Sequence, residues 1–348
     1  MIVDKEYCMS SFLMFRTIVG DNIAFTENLK PKKFQPKKDR YKIRSIDDID
    51  KAIKQIFKNS IDKKTGIMLS GGIDSAILAK YMPEGTKAYT LKCIAEGAID
   101  ETERARKYVK ENSLVHRIVE IYWEDYIKLS PKLMKHKGAP IHSIEPQIYK
   151  AALQAKEDGL EKLIFGEAAD AVFGGLDGLL SKEWKFEEFV DRYTFVKPER
   201  VLKRPRLILD PYKKFQVGNI VDTYRFLSEF FYLESVGSYT NACSLAGVEF
   251  IAPYVDMKLD IPIDLHRIRM GESKYLIREL FEKLYPGFEI VKKIPMPRAM
   301  NQWLANWKGP KREEFIQNSI DDFKGDQKWL VYALELFLDL LDKWEKEN

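Results

Sequence analysis

The segment Gly66-Ile67-Met68-Leu69-Ser70-Gly71-Gly72-Ile73-Asp74-Ser75, running on into Ala76-Ile77-Leu78-Ala79-Lys80-Tyr81, leaves the chain few ways to fold around it. Ile67 to Leu69 is a short apolar run of the kind a buried parallel strand uses, and 75–81 has helical spacing, so 70–75 must turn a strand into a helix. Such a turn gathers backbone N–H groups and the positive end of a helix dipole at one spot, where an anion can sit. Gly71 and Gly72 lack a Cβ and let the backbone approach a phosphate closely. Ser70 and Ser75 add hydroxyl donors, while Asp74 would repel a bare phosphate and so implies an intervening Mg²⁺.

Around this turn the chain alternates. A helix opened by Ser45-Ile46-Asp47-Asp48 runs to about 59, and strands are expected at 87–93, 115–121 and 162–165, with helices at 100–111 and 145–158. That order predicts an α/β fold: a Rossmann-like, doubly wound parallel sheet with helices on both faces and ligands at the carboxyl ends of its strands. After Gly175 the pattern turns mostly helical, with segments at 182–192, 218–234 and 273–285. A last helix from 326 to about 343 carries Trp329, Leu330, Leu334, Phe337, Leu338 and Leu341. Such apolar density implies packing against the body of the protein or against a second chain in a homo-oligomer. The apolar stretch 10–19 reads as one or two strands, and the prolines and charges of 31–38 as an extended connector. The expected division is therefore an N-terminal strand segment with a basic linker over 1–45 and a main domain over 46–348.

With 348 residues, 45% hydrophobic and 32% charged, the chain can bury a substantial core. No run approaches the ~18 apolar residues of a membrane span, and Asp4 and Glu6 stand where a secretory signal is basic and then apolar, so a cytoplasmic protein is expected. Cys8, Cys93 and Cys243 are odd in number and far apart, which argues against a disulfide framework. The net charge of +4 gathers in two basic stretches, 30–44 and 197–214. They lack interleaved aromatics, so they read as a solvated linker and loop, and nucleic acid is not the expected partner.

Ser70-Gly71-Gly72-Ile73-Asp74-Ser75 resembles the pyrophosphate loop of the ATP pyrophosphatases, a group that includes asparagine, GMP and NAD synthetases and tRNA-modifying enzymes. Gly166-Glu167-Ala168-Ala169-Asp170-Ala171-Val172-Phe173-Gly174-Gly175 narrows this, because it is similar to the GEGADELFGG stretch of asparagine synthetases. The resemblance implies that ATP contacts Leu69, Ser70, Gly71, Gly72, Asp74, Ser75, Leu91 and Gly166, that Glu167 is a catalytic carboxylate, and that Asp74 and Asp170 share Mg²⁺. The chain departs from the pattern where Ala168 replaces Gly and Ala171 replaces Glu. Weaker matches cover Asp100-Glu101 with Ala105-Arg106, His116, Pro253-Tyr254-Val255-Asp256, Ser273 to Arg278, and Trp303-Leu304.

The family also places one lysine on the helix matched by 273–278 and another about 20 positions later. Here Lys274 and Lys293 are 19 apart, so Lys274 and Lys293 are the expected catalytic cations, with Lys292 an alternative to the second. Their chemical use is clear: negative charge grows on phosphoryl oxygens as pyrophosphate leaves, and a fixed cation stabilises it. On the acceptor side the resemblance thins. Lys137 to Pro140, His142 to Pro146 and Thr240-Asn241 stand where the family has its carboxylate-binding acids and a DR pair, which puts aspartate in doubt as the substrate. Family glutaminases begin with Cys directly after Met; here seven residues precede Cys8, so no catalytic role is expected for it.

The function implied is an ATP-dependent amide ligase that adenylates a small carboxylate and passes it to an amine, which is free ammonia, ammonia from a separate glutaminase, or the amino group of a second substrate. Alternatives are a ring-closing synthetase of the beta-lactam synthetase or lasso cyclase type, a tRNA-modifying enzyme, and a non-catalytic ATP-binding protein.

Overall fold

In the computed structural model, which describes residues 1–34, 39–291 and 296–347, the N-terminal apolar stretch is not extended. After a two-residue strand β1 (Ile2–Val3) it forms helix α1 (Lys5–Phe15), and the strands expected over 10–19 are absent. The Asp4 carboxylate accepts the Tyr7 N–H at 2.9 Å and starts the helix, and Arg16 at φ 60° ends it by donating its N–H to Phe12 at 2.7 Å. Every residue from Cys8 to Phe15 is buried, so the helix is apolar all round and leaves no 3.6-residue stripe to read. Burying side chains such as Phe12 and Leu13 is worth about 1.5–3 kcal/mol each. That outweighs the few tenths by which local propensity separates helix from strand.

Strand β2 (Ile23–Ala24) pairs with β1, and β3 (Tyr41–Ile43) leads to helix α2 (Ile46–Ser60), capped by the Ser45 hydroxyl. The central sheet follows: β4 (Thr65–Met68), α3 (Ile73–Ala79), β5 (Lys87–Cys93), α4 (Thr102–Glu111), β6 (Val115–Ile121), α5 (Trp123–Lys137), α6 (Glu145–Glu157), β7 (Lys162–Ile164) and α7 (Ala169–Phe173). Two short strands β8 (Gln216–Val217) and β9 (Ile220–Val221) form a hairpin, and β10 (Glu249–Ile251) and β11 (Met257–Leu259) complete the set. The expected β5 and β6 appear with the expected ends. Helix α5 went unread because Pro131 lies inside it.

The five-stranded sheet has the order β10-β7-β4-β5-β6, all parallel. From β4 the chain steps outward through β5 to β6, then returns to lay β7 and β10 on β4's other side. Right-handed crossovers put α3 and α4 on one face and α6 on the other. The strand order therefore reverses between β4 and β7, and ligands of such sheets bind where it reverses. The loops leaving β4 and β7 are Ser70 to Gly72 and Gly166 to Ala168.

The described residues before 46 are bonded into this body. β3 pairs with β11, and α1 supplies Cys8 and Phe12 to the main core and Phe15 to a second, aromatic core with Tyr212, Phe226 and Phe230. The last helix, Gly325–Glu347, packs against the body: Trp329 is fully buried and edges onto Trp123 and Tyr126. At its first residue only glycine fits, since a Cβ on Gly325 would lie 2.2 Å from the Asn301 nitrogen. Among the described residues no helix is long and apolar enough to cross a membrane.

Candidate active site at the carboxyl ends of the sheet

Past β4, Leu69 is buried and donates its N–H to Tyr89 on β5 at 2.8 Å, so only its backbone faces the loop. The two serines brace the turn from inside. Ser75 is 5% exposed, its Oγ lies 3.1 Å from both the Ser70 nitrogen and Ser70 Oγ, and it donates to Gly72 at 3.2 Å. Ser75 thus shapes the loop, while Ser70 is exposed at its mouth. Gly71 is required by α4, since a Cβ would sit 2.7 Å from the Arg104 Cβ.

The second loop lies directly on the first. A Cβ at Gly166 would come within 2.9 Å of the Ser75 nitrogen. This contact brings Asp170, on α7, to the same cation as Asp74, on α3. Lys274 Nζ lies 2.8 and 2.7 Å from the two Asp74 carboxylate oxygens and 3.0 Å from Asp170 Oδ1. Its side chain is 7% exposed, and its backbone adopts φ 54° at the start of the helix Tyr275–Leu284. Gly175 makes room for the cluster, since a Cβ would fall 2.1 Å from Asp170 Oδ1 and 2.7 Å from Lys274 Cδ. Tyr254, in the turn Pro253–Asp256, fixes the loop by donating to the Asp74 carbonyl at 3.0 Å.

Glu167 accepts the Ser235 hydroxyl at 2.9 Å and is hydrogen-bonded to Tyr239. Ser235 belongs to a π-helical turn, Tyr232–Val236, a form that recurs at functional sites. Burial first, then the Glu167 carboxylate, push the Tyr239 phenol well above its usual range. Ala168 takes φ 80°, the left-handed conformation the matching glycine would adopt freely. Ala171, where the resemblance has Glu, is 2% exposed. Leu91 is half-buried on β5, opposite Val119. Lys292 and Lys293 lie outside the described residues.

His116 is a brace. Its Nε2 lies 2.9 Å from Thr90 Oγ1, which donates to the Leu69 carbonyl at 2.7 Å, and burial lowers its pKa. Cys8 is likewise inert: burial pushes its thiol up to about 12.

Beyond Glu167 lies a largely buried polar chamber that the sequence did not reveal, with the Asp326 side chain, 44% exposed, at its rim. Glu145, fully buried, pairs with Lys137 and accepts from the His142 N–H at 2.9 Å and from Asn241 at 2.7 Å. Arg298 grips Asp326 through two bonds of 2.9 Å, and Arg16 donates to Glu234 at 2.7 Å. His142 Nε2 lies 3.6 Å from Glu234. Burial raises the Glu234 pKa despite Arg16, and lowers that of His142 with help from the same arginine. The residues that replace the family's acids and DR pair are thus bonded to one another. Arg16, Glu234, Arg298 and Asp326 carried no motif; only the fold brings them together.

The asparagine synthase family model matches residues 49–347. The chain belongs to the asparagine synthase family. A putative glutamine-hydrolysing asparagine synthetase from Methanocaldococcus jannaschii is 25% identical over 249 residues, which is 67% of this chain. The chain spans 40% of that relative's length. A solved U34-tRNA thiolase from Methanococcus maripaludis is matched over 71% of this chain and 82% of its own, at 16% identity and a TM-score of 0.26, too small to indicate a shared arrangement. Membership of the family implies use of ATP, and its members are ligases or related enzymes of this loop type.

Proposed function

We propose that the chain is an AMP-forming amide ligase with its active centre between the β4 and β7 loops. In this reading a small carboxylate attacks the α-phosphate of ATP, pyrophosphate leaves, and ammonia or another amine displaces AMP from the acyl-adenylate. The observation that carries it is the meeting of Asp74 and Asp170 on Lys274 at the point where the strand order reverses.

The donors suit Mg²⁺. Two carboxylates from different loops converge on one ammonium, and among the described residues no group of three metal-binding side chains exists. Mg²⁺ is characteristically held by one or two carboxylates with phosphate oxygens and water. When bound, it would neutralise phosphate charge between Asp74 and Asp170. Lys274 is then free to turn from the acids toward a phosphoryl oxygen, where charge grows in the transition state. Glu167, oriented by Ser235, is the carboxylate assigned to take the proton that an attacking amine must shed. Segment 1–45 serves as a brace to the domain 46–348, with Arg16 reaching the acceptor side.

The basic stretches give little support to an RNA-directed reading. Lys33 pairs with Asp21, Arg44 with Asp260, Lys197 with Asp191, Arg200 with Asp322, and Arg206 with Glu6. A screen of small carboxylates for AMP and pyrophosphate release, with and without ammonium, tests the proposal. Release that depends on one acceptor class supports it, and AMP formation with no carboxylate present counts against it.

A further inference from the structure

We infer that two copies of this chain pair through β6, extending the central sheet across a two-fold axis. β6 is seven residues long and lies at the edge of the sheet, paired among the described residues only with β5. The opposite edge, β10, has three. Natural sheets blunt long edges with charged side chains, above all lysine, with proline or with a bulge. Val115-His116-Arg117-Ile118-Val119-Glu120-Ile121 has no lysine or proline, its charges are one of each sign at Arg117 and Glu120, and its register with β5 is unbroken.

Its free side can be read from its bonded side. Val115 donates to Thr86, and Ile121 accepts from Ile94. In a parallel pair alternate residues point their backbone groups toward the neighbour. The odd positions therefore face β5, and His116, Ile118 and Glu120 direct N–H and C=O outward. Outward groups must meet outward groups, which restricts antiparallel self-pairing to a few registers.

The register centred on Ile118 is the one the side chains favour. It sets Ile118, 43% exposed, against itself, and brings Glu120 of each copy over His116 of the other, which lies beside Arg106. No like charges face each other directly, and the two ends are equivalent, as an isologous contact requires. An edge centred on Arg117 would oppose two arginines. A second copy satisfies these constraints at both ends at once, whereas a peptide of unrelated sequence would satisfy the backbone alone.

Sedimentation equilibrium of the full chain from about 1 to 100 μM tests the inference, together with two variants. Wild type should be a dimer, and Ile118→Lys should raise its dissociation constant by at least about tenfold with an unchanged circular dichroism spectrum. Ile118→Cys should cross-link to itself under mild oxidation; Cys8, Cys93 and Cys243 are buried, so the cross-link reports on position 118. Leu207→Cys, at an exposed site elsewhere, should not. A monomeric wild type, or a dimer that Ile118→Lys leaves intact and Ile118→Cys does not trap, overturns the proposal.

Discussion

Two charged clusters lie near the carboxyl ends of the sheet, and they differ in balance. Around Lys274 two acids face one cation, partly open, with Asp74 at 16% and Asp170 at 22% side-chain exposure. In the chamber each cation has its own acid: Arg16 with Glu234, Lys137 with Glu145, Arg298 with Asp326. The first arrangement brings two acids from different loops onto one cation, and in the proposed reading it receives Mg²⁺ and ATP. The second is complete, and its partners hold one another. Removing an acid should therefore damage binding in the first and folding in the second.

The largest effect is expected at Glu145→Ala. It leaves the Lys137 ammonium, 5% exposed, without its carboxylate. Breaking a buried pair costs about 3–5 kcal/mol, whereas replacing both partners by apolar residues is often nearly neutral. Urea denaturation should show that loss for the single variant and recover part of it in Lys137→Met/Glu145→Leu, where the His142 N–H and the Asn241 amide still lack their acceptor. A double variant as unstable as the single one would show that the pair is not the source.

Asp74→Asn and Asp170→Asn should behave in the opposite way. Each leaves Lys274 a second acid, so unfolding free energy should move by no more than about 1 kcal/mol. Calorimetry should find Mg²⁺–ATP bound at least about tenfold more weakly, and turnover with an identified acceptor reduced about a hundredfold. Loss of fold with nucleotide affinity intact would erase the contrast.

The same contrast explains what could be read beforehand. The meeting of the two loops was legible because glycines and acids at fixed spacing mark a strand-to-helix turn locally, as in Ser70–Ser75 and Gly166–Gly175. Lys274 was marked by the resemblance of 273–278 to the family's helix, although not its left-handed backbone. The chamber was illegible because its partners lie far apart in sequence, Arg16 with Glu234 and Ser143 with Asp326. Helix α1 was misread for a related reason: complete burial removes the periodicity that marks a helix. Helix α5 was hidden by one proline.

A third effect belongs to the chamber alone. Burial and Arg16 hold the His142 pKa below its ordinary 6.5. As pH falls through 6.5 the unfolded chain takes up a proton that the folded one refuses, so stability declines, by at most about 1.4 kcal/mol per pH unit for one group. Glu234, whose pKa is raised, acts in the opposite sense: its preference for the proton favours the fold as pH falls from above. His142→Gln removes the first and keeps the second. The drop in Tm between pH 7.5 and 5.5 should be smaller in this variant than in wild type, and an equal drop would place the titrating group elsewhere.

The smallest effect concerns the strain between the two clusters. Ala168 holds φ 80° next to Glu167, and the left-handed region costs a residue with a Cβ about 1–2 kcal/mol. Ala168→Gly relieves this but gains unfolded-state entropy worth about 0.4–1 kcal/mol, so a net stabilisation of about 0.5–1 kcal/mol is expected. Mg²⁺–ATP affinity should change little, because the contact of Gly166 with Ser75 and the Tyr254 bond to the Asp74 carbonyl, which set the loops, do not involve the residue 168 side chain. Ala168→Val, whose branched side chain tolerates positive φ still less, should lower Tm below wild type. If Gly, Ala and Val were equally stable, the loop would be relaxing freely, and Glu167 would be aimed by Ser235 and Tyr239 alone.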